Sequence, residues 1–144
     1  MPLQPIPSAP LCAALLAAIV ASPAAIGHGD VTPQVIDTSE LAPLGEQWRS
    51  ENPYRSNATA IEIGKSGDNQ NCARCHGLEV VSGGIAPDLR RLPVDAETDE
   101  YFAESVRRGK SRNGAIYMPP FEGILSQEAI WAIRAYVETR HVDE

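Results

Sequence analysis

An all-α fold of three main helices joined by long loops, with almost no sheet, is what this 144-residue sequence predicts. Two observations carry that expectation. Segments 58–71, 99–108 and 127–140 each have their own helix start or stop signals. Between the first two lies Asn71-Cys72-Ala73-Arg74-Cys75-His76-Gly77, a C-x-x-C-H run. A third feature belongs with them: the only methionine after the initiator, Met118, sits in a loop stiffened by Pro119 and Pro120.

The N-terminal stretch Leu11 to Ile26 is rich in alanine and leucine and is interrupted by Pro23. A membrane span needs about 20 apolar residues, so this stretch reads instead as the apolar region of a secretory signal peptide covering residues 1–27, with Ala25-Ile26-Gly27 as the cleavage pattern. No lysine or arginine precedes Arg49, so the usual basic start of such a signal is missing. Residues 28–56 hold four acids before any base, together with Pro33, Pro43 and Pro53. They read as an irregular extension with a short helical turn near Leu41 to Arg49.

Residues 57–144 form the main domain. Asn57 caps the first helix, and Gly64 within it costs about 1 kcal/mol relative to alanine, a sign that another backbone approaches closely there. The second helix takes Thr98 as cap, Asp99 and Glu100 in its first turn, Arg107 and Arg108 in its last and Gly109 as stop. Phe102 and Val106 mark its buried side. The third starts at Ser126, with Leu125 and Ile130 at the staple positions. Ala129, Ile130, Ile133, Tyr136 and Val137 give it one apolar face, the natural partner of the Gly64 helix.

The C-x-x-C-H run points to chemistry. Two thiols three residues apart add to the vinyl groups of one haem, and the adjacent histidine then lies beneath the iron as its proximal ligand. Cys72, Cys75 and His76 are therefore the candidate attachment residues. A zinc site would need a second ligand pair, and a thioredoxin-like pair would follow a strand in a βαβ pattern; neither is in the sequence. Met118 is the candidate second axial ligand, a soft thioether that stabilises ferrous haem and raises its potential. His28 and His141 are the weaker alternatives, one at the mature N-terminus and one in the last helical turn. With His76 and Met118 both on iron, no position is left for substrate, so a carrier is expected and not an enzyme. Haem of this type is attached outside the cytoplasm in bacteria, which agrees with export to the periplasm.

The formal charge is −7, and every charged residue follows Gly27. Nucleic acid and anionic membrane surfaces are poor partners for such a chain, and no stable membrane insertion is expected.

With these residues in place, 57–140 resembles a class I cytochrome c domain. In that family the helix before the haem motif crosses the C-terminal helix, which Gly64 and Tyr136 match. Asp68 departs from the pattern, standing where the family packs an aromatic residue. The resemblance further implies that Pro87 offers its carbonyl to the His76 ring. The phrases His28-Gly29-Asp30-Val31-Thr32-Pro33-Gln34, Asn52-Pro53-Tyr54-Arg55 and Tyr117-Met118-Pro119-Pro120-Phe121-Glu122-Gly123 resemble the cytochromes c-550 of the PedF type. That likeness implies one covalent haem c, a quinoprotein (PQQ-dependent) alcohol or ethanol dehydrogenase as electron donor, and a terminal oxidase or another cytochrome as acceptor. Two readings compete with it. One is a haem-based catalyst or ligand sensor in which Met118 leaves the iron. The other is a cytochrome subunit of a different periplasmic dehydrogenase.

Overall fold

The computed structural model of the chain describes residues 1, 2 and 32–143. The signal-peptide segment, its cleavage site after Gly27, and His28 lie outside the described residues. The elements below all belong to the compact unit Val31–Glu144.

Four α-helices are present among the described residues: α1 (Ala58–Asn71), α2 (Ala73–His76), α3 (Ala96–Arg108) and α4 (Gln127–Thr139). Three are long, and α2 is a single turn that carries the C-x-x-C-H run. Asn57 caps α1 by accepting a hydrogen bond from the Ala60 N–H, at 3.0 Å. Ser126 caps α4 through the Ala129 N–H, at 3.1 Å. The start of α3 differs from the sequence expectation. Asp95 is the cap and accepts from the Thr98 N–H at 2.7 Å, so the helix begins three residues earlier than a Thr98 cap would place it. Both residue types cap well, and the carboxylate is the stronger acceptor for an amide at the positive end of the helix.

A short antiparallel ribbon, β1 (Lys110–Arg112) and β2 (Ala115–Met118), follows α3. It turns at Asn113-Gly114, both of which have positive φ (51° and 78°), the backbone that an Asn-Gly hairpin turn requires. The flanking strands, of three and four residues, are too short to show alternation in the sequence.

The core is built on the crossing of α1 and α4. A Cβ on Gly64 would lie 1.9 Å from the Ala132 carbonyl oxygen, so the two backbones touch there. Gly67 makes a second close approach one turn on, to the side chains of Ile36 and Ile133. Val80, Phe102, Val106, Phe121, Leu125, Ile130, Trp131, Ile133 and Val137 complete the core.

The burial of α4 goes beyond the single apolar face expected. Trp131 and Arg134 are also fully buried, because residues 32–56 cover the other side of the helix. That covering segment has no helical turn over 41–49, only bends. It is held by backbone groups meeting α4 side chains: the Leu44 N–H donates to Glu128 Oε1 (2.7 Å) and the Arg49 N–H to Gln127 Oε1 (2.7 Å). Leu41, Tyr54 and, partly, Ile36, Leu44 and Trp48 add apolar area to the same core.

Candidate haem site

Cys72 terminates α1, with its N–H donating to the Asp68 carbonyl at 2.7 Å, and the next residue begins α2. One helical turn therefore presents Cys72, Cys75 and His76 in succession. Gly77 ends it with φ 82°, and a Cβ there would lie 1.9 Å from the Val81 carbonyl oxygen, so only glycine lets the chain fold back directly after the histidine.

His76 Nδ1 lies 2.9 Å from the Pro87 carbonyl oxygen. A carbonyl only accepts, so Nδ1 carries the ring proton and Nε2 keeps a lone pair for a metal. The loop that supplies this carbonyl is itself fastened. The Ser82 hydroxyl donates to the Ala86 carbonyl and accepts from the Gly84 N–H at 3.0 Å. Asp88 then caps the short 3-10 turn 89–91 through the Arg90 N–H, at 3.0 Å.

Neither cysteine is in a disulfide. Burial, and after it the neighbouring Asp68 carboxyl, pushes the Cys72 thiol up. That is the reverse of the lowered thiol of a reactive C-x-x-C pair.

Met118 is the last residue of β2, half-buried, and packs against the same core cluster as Cys72. Its loop is anchored to the end of α3 by two backbone bonds, Phe121 N–H to the Val106 carbonyl (3.0 Å) and Glu122 N–H to the Arg107 carbonyl (3.1 Å). Arg107 also pairs with Glu122. Gly109 completes the anchor: a Cβ would stand 2.4 Å from the Met118 carbonyl oxygen. The thioether is thus fixed by its backbone, with Ile116 and Tyr117 exposed just ahead of it.

The donor set fits a covalent c-type haem. Two thiols on one turn could take the vinyl groups, an oriented imidazole offers Nε2, and a rigid loop carries a soft thioether.

The other sequence candidates go elsewhere. His141 lies beyond the end of α4, and its Nδ1 is 2.9 Å from the Arg90 carbonyl, which also accepts from the Val142 N–H at 3.1 Å. Its place is in the seam that closes the C-terminus onto the 3-10 turn.

Asp68 occupies the α1–α4 crossing. It is fully buried, and neither carboxylate oxygen has a hydrogen-bond partner. Burial pushes its carboxyl up to about 6, and the neighbouring Cys72 thiol acts in the other direction. The sequence marks this residue only as out of pattern; its isolation comes from the packing.

Residues 59–137 match the family model described as Cytochrome C oxidase, cbb3-type, subunit III. The chain is 57% identical to Cytochrome c550 of Pseudomonas aeruginosa over 134 residues, 90% of this chain and 92% of that protein. A 92-residue stretch is 34% identical to Quinohemoprotein alcohol dehydrogenase ADH IIB of Pseudomonas putida, covering 64% of this chain and 13% of the dehydrogenase. Cytochrome c6 of Euglena gracilis is 33% identical over 72 residues, 49% of this chain and 80% of that protein. No solved structure matches.

Proposed function

Because the chain belongs to the class I cytochrome c family, a monohaem electron-transfer protein with covalently bound haem c, we propose that it takes single electrons from a quinoprotein alcohol dehydrogenase. It passes them toward a terminal oxidase or another cytochrome, in the periplasm. The likeness over 90% of the chain to a cytochrome c550 carries this reading. The similarity to a stretch of a quinohemoprotein alcohol dehydrogenase supports the choice of donor, because the matched residues are part of an alcohol dehydrogenase named for a quinone and a haem.

Cys72 and Cys75 would hold the haem through thioethers, and His76 and Met118 would bind its iron. The bound haem supplies a reversible one-electron couple. Pro87 keeps the His76 ring in one tautomer and orientation, so the ligand does not turn between oxidation states. The Met118 thioether would favour the ferrous form of the iron. A reduced quinone cofactor gives up two electrons, so two oxidised copies of this chain serve each alcohol oxidised.

Among the described residues no helix is long and apolar enough to cross a membrane. A diffusing carrier needs only a transient contact with its donor, and contacts of that kind are small.

The test is stopped-flow absorbance on oxidised protein mixed with ethanol and the quinoprotein alcohol dehydrogenase of the same organism. Fast haem reduction that requires both enzyme and alcohol is expected. Intact low-spin haem that stays oxidised in the full mixture would overturn the assignment of the donor.

A further inference from the structure

We propose that Asp68 is a proton-binding site linked to the oxidation state of the iron, so that this chain takes up a proton from solvent together with the electron it accepts. The inference rests on haem attachment through Cys72 and does not depend on which dehydrogenase is the donor.

The placement is specific. α1 puts Asp68 one turn before Cys72, and residues four apart share a helix face. The carboxyl is close enough to the Cys72 thiol for each to shift the other. In the haem-bearing protein that sulfur is a thioether with no hydrogen to donate. Both Asp68 oxygens are buried and have no hydrogen-bond partner among the described residues.

The ionisable groups around Asp68 leave it uncompensated. From α1 the neighbour is Cys72; from α4 it is the Tyr136 phenol, which is raised first by its own burial and then by Asp68. Glu62, Glu79 and Arg140 act on Tyr136 in turn, and Arg140 is paired with Glu79 at 2.8 Å. No cation among the described residues figures among the causes that shift Asp68. Tyr136 also lines a surface cleft of about 450 Å³ with Lys65, Asn69, Leu78, Glu79 and Val81.

A buried carboxylate without donors is poorly stabilised, and the nearby ferric centre carries one more positive charge than the ferrous. When iron is ferric, that charge holds Asp68 ionised. When the iron takes one electron, the attraction weakens and Asp68 takes one proton from water. The balanced step is ferric iron, Asp68 carboxylate, one electron and one proton going to ferrous iron and the Asp68 carboxylic acid. The electron comes from the reduced quinone of the donor.

Equilibrium redox titration of the holoprotein between pH 5 and 8, with chemical mediators and no dehydrogenase, tests this. The midpoint potential is expected to fall as pH rises through the titration of Asp68 and to level off above it. Tenfold tighter proton binding in the ferrous state corresponds to a total fall of about 59 mV. In Asp68→Asn that fall is expected to vanish, and the potential to stay near the acid-limb value of the unaltered protein. An unchanged fall in the variant would overturn the proposal and assign the proton to the haem propionates. A reduced-minus-oxidised infrared spectrum of unaltered protein carrying carbon-13 aspartate gives a second readout that needs no variant. It is expected to gain the carbonyl band of a labelled carboxylic acid on reduction; no labelled band would also overturn the proposal.

Discussion

Met118 ends β2 opposite Lys110, and its position comes from this pairing and, after it, from the two amides of Phe121 and Glu122 bound to the end of α3. Removing the thioether therefore leaves the loop in place and changes the iron alone. Met118→Ala is expected to lower the reduction potential by about 59 mV or more, the equivalent of a tenfold or larger loss of preference for ferrous iron. It should also let carbon monoxide bind without denaturation. Potentiometry and a carbon monoxide difference spectrum check both; an unaltered potential would remove Met118 from the iron. His76 is placed differently, by a side-chain contact to Pro87 that lies eleven residues away in sequence. Asp68 is the third residue whose behaviour is set by surroundings, since an aspartate one turn nearer the surface would be unremarkable in charge and pKa.

At the scale of elements the crossing of α1 and α4 decides the fold. Gly64 lets the α1 backbone rest against the Ala132 carbonyl, and a methyl group there would stand 1.9 Å from that oxygen. Backbone cannot step aside as a side chain can, so the helices must separate and the core must reopen. Gly64→Ala is expected to cost about 3 kcal/mol, against the small gain in helix propensity the same change gives on an exposed helix. The shift of the urea midpoint of the holoprotein measures it, and a neutral or stabilising outcome would disprove the close crossing. The ribbon β1–β2 has a more local cause, the Asn113-Gly114 turn, and it converts the exit of α3 into the approach to Met118.

The whole molecule is tied together by a buried charge cluster that joins three regions distant in sequence. Asp99 on α3 accepts from Arg134 Nε of α4 at 2.7 Å, from Arg55 at 2.5 Å and from the Asn52 N–H at 2.9 Å. Arg134 also donates to the Pro93 carbonyl at 2.6 Å, and Glu138 pairs with Arg55 at 3.1 Å. Asp99 and Arg134 are both fully buried, and removing Asp99 leaves the buried Arg134 guanidinium with only Glu138, at 3.3 Å, and the Pro93 carbonyl in place of its nearest carboxylate. Asp99→Ala is expected to cost about 3–5 kcal/mol, and an apolar replacement of Asp99 and Arg134 together should recover part of it. Urea unfolding of the single and double variants checks the pair. An Asp99→Ala variant as stable as the parent would show that residues 52–55 are held without the Asp99 contacts.

By itself the sequence determined the helical class, the extent of α1, the cap of α4 and the C-x-x-C-H and methionine candidates, because each is written in adjacent residues or in spacings within one turn. It also marked Gly64 as a point of close approach and Asp68 as out of pattern. Only the tertiary structure decided that residues 32–56 belong to the core, that Arg134 is buried and not solvated, and that Asp68 has no partner. Those outcomes depend on which distant segment covers a given face. The exposure and charge compensation of a side chain come from neighbours many residues away, and no local period or spacing encodes them.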